Sequence, residues 1–186
     1  QELRGALVEL GAYSYKLFFG ERAYDGGYID PRLYQPVAMA ALTTHDMPTM
    51  KGWWEGSDLT LGQKLGLYTE EQAKQLYNDR QVSKQRMLDS LHGLGSVGSE
   101  GAVRAEDSVM DNDVVKGLQV HRCRSACALY SSQLEDWIGV AKPVNVPGTF
   151  REYPNWRRKL TADLDEIFQS DFVHSLTAAM TDARKN

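Results

Sequence analysis

The amino-acid sequence predicts an α/β protein, predominantly helical, that forms part of a (β/α)8 TIM barrel with few short strands. Three observations lead to that class. Residues 38–49 read AMAALTTHDMPT, an apolar run that stops abruptly at Thr43, Thr44, His45 and Asp46 before Pro48 opens a helix. A barrel strand delivers chemistry in this way, with buried residues along its length and reactive groups at its carboxyl end. Each of those polar groups would need a partner if buried. Short strand signals at 13–19, 37–43 and 128–134 are separated by much longer helical stretches, which suits a barrel portion better than an open sheet. The length, 186 residues, falls short of the about 250 that a complete barrel takes. Strand edges are therefore left to be covered or paired by association.

In chain order, Leu3, Leu7 and Leu10 recur at helical spacing and Gly11 supplies the stop, so 2–11 reads as a helix. YSYKLFF at 13–19 is a short aromatic strand, and 20–36, with Gly26, Gly27, Pro31 and Pro36, is mainly loop. After the second strand and Pro48 come Trp53 and Trp54, a Gly-Ser-Asp break and a short helix over 58–65. Thr69 and Gln72 match a capping box that opens a longer helix, with Ala73, Leu76, Met87, Leu88 and Leu91 on its apolar side and Gly93 and Gly95 at its end. Residues 96–107, rich in Gly, Ser and charge, form the expected internal linker of an otherwise single region 1–186. Residues 113–127 are helical, with Val114, Leu118, His121 and Ser125 on one side; the third strand follows and leads into Glu135-Asp136-Trp137. Residues 144–149 are extended and close in a Pro-Gly turn, and the chain from Trp156 onward reads as two helices broken near Ser170.

Composition excludes several classes. The hydrophobic fraction is 42%, the charged fraction 25% and the net charge −4, which argues against binding nucleic acid through a basic surface. No apolar run approaches membrane-spanning length. The start, Gln1-Glu2-Leu3-Arg4, lacks an initiator Met and the basic and apolar parts of a signal peptide, so a piece of a longer cytoplasmic protein is expected. Cys123 and Cys127, four apart in the expected helix, make no disulfide framework. With His121 they permit a metal reading, but reduced cysteines packed in a core explain them better, and no cofactor or metal is expected. His92, His121 and His174 share no spacing with carboxylates, and there is no phosphate loop, HExxH helix or nucleophile elbow.

Four segments in order carry a family resemblance: LGAYSYKLFFGE (10–21), TTHDMPTMKGWWEGSDL (43–59), QLEDWIG (133–139) and NVPGTFREYPNWRRKL (145–160). Together they resemble the C-terminal part of the amylomaltases, the 4-α-glucanotransferases of the α-amylase superfamily, over about residues 2 to 168. The resemblance implies the barrel from roughly its sixth helix through its eighth strand and the helices beyond. It also implies an enzyme that cleaves an α-1,4-glucan and passes the glucosyl chain to a sugar 4-hydroxyl, by retaining chemistry with a carboxylate nucleophile and a carboxylic acid/base. Asp46 corresponds to the family's third carboxylate, which orients the sugar and strengthens its hydrogen bonds as the transition state forms; His45 would bond the same sugar. Nothing here matches the nucleophile or the acid/base, so an N-terminal barrel segment is missing and the chain alone is expected to be catalytically incomplete. Malto-oligosaccharides or glucan are the implied partners.

Each site residue has a structural alternative. Asp46 can be a helix N-cap with Pro48 in the first turn, and His45 a core histidine. Thr44 belongs to the same polar strand end. Trp53 and Trp54 can stack on sugar rings or pack their helix; Trp54 is taken as the sugar contact. Asn145 is a sugar or loop contact whose alternative is a turn-stabilising amide. Asp136 is expected to cap the short segment at 137–139. Trp156, Arg157 and Arg158 resemble a surface or phosphate-binding cluster, and the arginines more often bridge carboxylates. A non-catalytic malto-oligosaccharide-binding or interaction module is the alternative to an enzyme portion, and a helical scaffold without a sugar role is what periodicity alone supports.

Overall fold

The computed structural model of the chain describes residues 2–185. Three strands, β1 (Ser14–Leu17), β2 (Ala38–Ala41) and β3 (Leu129–Ser131), form one parallel sheet in that order. Ser14 registers with Ala38, Leu17 with Ala41 and Ser131 also with Ala41. Helix α1 (Glu2–Glu9) precedes β1. The crossover from β2 to β3 carries α2 (Met50–Glu55), α3 (Ser57–Lys64), α4 (Glu70–Gly93) and α5 (Asn112–Cys123), and α6 (Leu134–Trp137), α7 (Leu164–Gln169) and α8 (Asp171–Lys185) follow the sheet. Parallel neighbours need such long crossovers, and a central parallel strand is buried on both faces. The small side chains of Ala38, Ala40 and Ala41 meet that demand and are fully enclosed.

The core lies between the strand ends and the crossover helices. It joins Phe18 and Leu42 to Met50, Trp53 and Trp54 of α2, to Met87, Leu88 and Leu91 of α4 and to Leu118 of α5. The capping box of α4 forms as its sequence predicts: the Gln72 amide donates to Thr69 Oγ1 at 3.2 Å and the Thr69 amide to Gln72 Oε1 at 2.9 Å. Helix α3 is pinned to α4 by a bidentate pair, Arg80 with both Asp58 oxygens at 2.8 Å. Residues 96–107 are irregular and run along α4, where Gln85 bonds the Val103 carbonyl and the Ala105 amide, both at 2.8 Å.

Three expectations change. Helix α2 is capped by Thr49, whose hydroxyl accepts from the Gly52 amide at 3.1 Å, so Pro48 lies ahead of the cap and Asp46 is released from capping. Helix α5 ends at Cys123, so the two cysteines do not share a helical face. Beyond it the Ala126 and Ala128 amides bond the Pro31 and Pro36 carbonyls at 3.1 and 2.8 Å and draw the chain into β3, while Arg184 of α8 binds the carbonyls of Cys123, Ser125, Cys127 and Ala128. Both thiols are free and buried. Finally, 156–163 is not helical: Trp156 has φ +62°, and the first helix after it begins only at Leu164.

Candidate functional site

The site grows from the carboxyl end of β2. Leu42 and Thr43 are still buried, and the chain then turns outward through Thr44, His45 and Asp46 before re-entering at Thr49 and Met50. One buried carboxylate ties both ends of this loop. Thr43 Oγ1 donates to Asp136 Oδ2 at 2.8 Å, and the Met50 amide donates to Asp136 Oδ1 at 2.7 Å. Gln133 Nε2 also donates to Thr43 Oγ1. Asp136 is 3% exposed. Burial pushes its carboxyl up to about 6, although the bonds from Met50 and Thr43 favour the ionised form. Asp136 therefore holds the β2–α2 loop instead of capping 137–139.

Within the loop the Met47 amide bonds the Thr44 carbonyl at 3.0 Å, and Thr44 Oγ1 accepts from the Asp46 amide at 3.4 Å, so the turn is held by its own residues. The side chains of His45 and Asp46 are more than half exposed, with Nε2 and Oδ2 3.3 Å apart. The other Asp46 oxygen, Oδ1, accepts from Asn145 Nδ2 at 2.7 Å. The structure thus brings together Thr44, His45, Asp46 and Asn145. Asp46 borders a cleft of about 250 Å³ with Pro48, Leu61, Tyr68 and Asn145. Asp58 lines the same cleft, but Arg80 occupies both of its oxygens.

Asn145 is delivered by a cross-braced loop. The Thr149 amide closes on the Val146 carbonyl at 3.2 Å around Pro147-Gly148, with Gly148 at φ +85°. Asn155 spans the loop: its Oδ1 accepts from the Val146 amide at 2.8 Å and its Nδ2 reaches Thr149 Oγ1 at 2.9 Å. Tyr153 donates its hydroxyl to the Pro143 carbonyl at 2.6 Å, and the Trp156 amide donates to the Val144 carbonyl at 2.9 Å. Arg158 pairs with Glu135 at 3.1 Å, a carboxylate bridge of the kind expected of the arginine pair.

Trp54 is not with this group. It is 3% exposed, its indole N–H donates to the Ser108 carbonyl at 3.2 Å, and Lys84 sits over its ring at 5.0 Å. Trp53 is buried too, stacked against Phe19 and Arg80. Helix α2 spends both indoles on packing, so the sugar-stacking role expected of Trp54 is corrected to a core role. Two other aromatics stand at the site: Tyr68 lines the Asp46 cleft, and the Trp156 ring centroid is 5.2 Å from that of His45. Sequence reasoning grouped Trp156 with the neighbouring arginines; only its membership of the same segment as Asn145 hinted at this placement. His121, away from the site, bonds Ser96 Oγ at 3.1 Å and Ser90 Oγ at 3.3 Å, and burial with the nearby Arg122 lowers its pKa to about 4. Among the described residues no three His, Cys, Asp or Glu side chains are grouped to hold a metal. Nor is any helix long and apolar enough to cross a membrane.

An open carboxylate flanked by an imidazole and a carboxamide is suited to neighbouring hydroxyls of a polyol, since it offers acceptors and donors in fixed directions. Comparison with known proteins gives the family. The family model described as 4-alpha-glucanotransferase matches residues 1–165, and the chain belongs to this family. A 4-alpha-glucanotransferase of Haemophilus influenzae is 31% identical over 186 residues, covering 98% of this chain and 26% of that protein. One from Mycobacterium tuberculosis is 27% identical over 153 residues, covering 79% and 20%. The amylomaltase of Corynebacterium glutamicum superposes with a TM-score of 0.84 at 22% identity, over 96% of this chain and 27% of that one. An amylomaltase of Streptococcus agalactiae, solved in complex with acarbose, superposes with a TM-score of 0.60 at 16% identity, over 98% and 29%. The chain thus spans about a quarter of the length of these relatives.

Proposed function

We propose that this chain is the C-terminal part of the catalytic (β/α)8 barrel of a cytoplasmic 4-α-glucanotransferase, which transfers α-1,4-glucan segments to a sugar 4-hydroxyl with retention. The nucleophile and the acid/base come from strands that precede this segment, and the segment alone is catalytically incomplete. Asp46 is its catalytic residue. As an ionised carboxylate it accepts hydrogen bonds from sugar hydroxyls, and those bonds tighten as the ring flattens toward an oxocarbenium-like transition state. His45 and Asn145 bond hydroxyls of the same sugar and hold the carboxylate in place, and Thr44 offers its hydroxyl hydrogen. The observation that carries this reading is the 2.7 Å bond between Asn145 and Asp46, which unites the second and last of the four motifs at one point.

Two further features support the reading. The other carboxylate of the cleft, Asp58, is committed to Arg80, so the retaining pair is best sought outside this segment. The outer edges of β1 and β3 pair with nothing among the described residues, as expected of strands that continue into a larger barrel. The acarbose complex of the Streptococcus agalactiae relative supports a malto-oligosaccharide partner. The test is Asp46→Asn in the full-length enzyme, assayed by disproportionation of maltotriose. We expect turnover to fall by about 10²–10³-fold or more, with an unchanged melting temperature. Unchanged turnover would remove the assignment.

A further inference from the structure

We propose that Trp156 is a glucan-binding residue, a stacking wall for the apolar face of the glucosyl unit adjoining the one held by Asp46 and His45. This rests on the glucanotransferase reading above and names a contact that reading lacks. Three observations carry it. First, Trp156 is 61% exposed, while Trp53 and Trp54 are buried in the core. The open indole stands beside the exposed imidazole of His45, where a ligand on the site can reach its face. Second, its position is built. Trp156 holds a left-handed backbone, φ +62°, the one positive φ outside glycine among the described residues. A bulky L-residue pays for that conformation, and such outliers concentrate where a side chain must be aimed. The bonds that enforce it are on the same loop: its own amide to the Val144 carbonyl, and the Asn155 side chain to Val146 and Thr149. That loop aims Asn145 at Asp46 with one arm and Trp156 at His45 with the other.

Third, the ring geometry leaves room for a ligand. The indole is tilted 50° to the imidazole with centroids 5.2 Å apart, so the two rings meet obliquely and do not cover each other face to face. Glucose presents C–H groups on one face and hydroxyls around its rim. An aromatic plane beside a carboxylate, imidazole and carboxamide matches both parts of that surface.

The test uses the full-length enzyme with maltotetraose as both donor and acceptor. Trp156→Gly removes the ring while accepting the positive φ without strain, so the loop keeps its fold; Trp156→Phe restores an aromatic face. We expect Trp156→Gly to raise KM for maltotetraose about tenfold, a loss of about 1.4 kcal/mol in binding, with kcat within about twofold of wild type. The melting temperature should be unchanged or higher, and Trp156→Phe should recover most of the KM. An unchanged KM in the Gly variant of an active enzyme would overturn this inference alone. A fall in kcat at constant KM would also overturn it, because Trp156 would then act by positioning His45. A wild-type enzyme unable to disproportionate maltotetraose would overturn the glucanotransferase reading and this inference with it.

Discussion

Replacing Asp136 with Asn should stabilise the protein at neutral pH, although the residue holds the β2–α2 loop. The carboxyl titrates at about 6 in the fold against an ordinary 3.8, a difference of about two pH units. That corresponds to about 3 kcal/mol by which the fold prefers the neutral form, with the bonds from Met50 and Thr43 already acting on the charged one. The sign follows from proton uptake. Between pH 4 and 6 the native state binds more protons at this position than the unfolded chain, so stability is greatest below about pH 4 and is lost as pH rises through 6. Asn is close to the protonated acid in shape and bonding. Its oxygen can accept from the Met50 amide, and its NH2 can donate to Thr43 Oγ1. Asp136→Asn should therefore gain about 1–3 kcal/mol over wild type at pH 7.5, with the advantage shrinking toward zero at pH 4. Asp136→Ala should lose about 2–4 kcal/mol, since two buried donors are left without an acceptor. Urea denaturation of the full-length wild type and both variants across pH 4 to 8 reads all three curves. A wild-type-minus-Asn difference that is flat with pH would refute the argument that desolvation outweighs hydrogen bonding at this carboxylate.

The remaining predictions concern packing and titration away from the loop. A Cβ on Gly52 would lie 2.4 Å from the Ala141 carbonyl oxygen, so Gly52→Ala should lower stability by about 1–3 kcal/mol even though Ala favours the helix; a melting temperature equal to wild type would show that the backbone at Ala141 yields freely. His121, buried and neutral, should remain unprotonated down to about pH 4, and its contribution to stability is lost as pH falls below 6.5 toward that value. Imidazole proton shifts followed by NMR should show no inflection for His121 above pH 5, and a midpoint near 6.5 would refute its burial.

What could be read from the sequence is what short-range physics decides. The capping box of α4 needs only Thr69 and Gln72, and the alanines of β2 declare a central parallel strand by themselves. The His45-Asp46 pair and Asn145 were legible through the motifs that contain them. What escaped depends on partners far along the chain. Asp136 looked like a local cap because the sequence does not display Met50 and Thr43 as its partners. Helix α5 looked longer because the groups that end it are the carbonyls of Pro31 and Pro36 and the guanidinium of Arg184. Trp54, expected at the sugar, is in the core, and Trp156, grouped with Arg157 and Arg158, stands against His45, for the same reason. Periodicity says that a tryptophan is apolar, and only the fold says which one the core consumes.

The aspartate of the β2–α2 loop, Asp46, and the aspartate of α6 that anchors it, Asp136, show how one side-chain type is given opposite tasks by its surroundings. Asp136 is sealed from water and its oxygens are filled by a backbone amide and a hydroxyl, so it serves geometry and its charge is a cost. Asp46 stands in solvent with one oxygen on Asn145 and the other near His45, exposed partners that leave the carboxylate open to a ligand. The buried carboxylate fixes where the chain leaves and re-enters the core, and the exposed one is thereby held within a short, self-bonded turn. A loop anchored at both ends moves little when substrate arrives, so less of the binding energy is spent on ordering it. In the proposed enzyme, the precision of Asp46 would then derive from a residue that never touches the glucan.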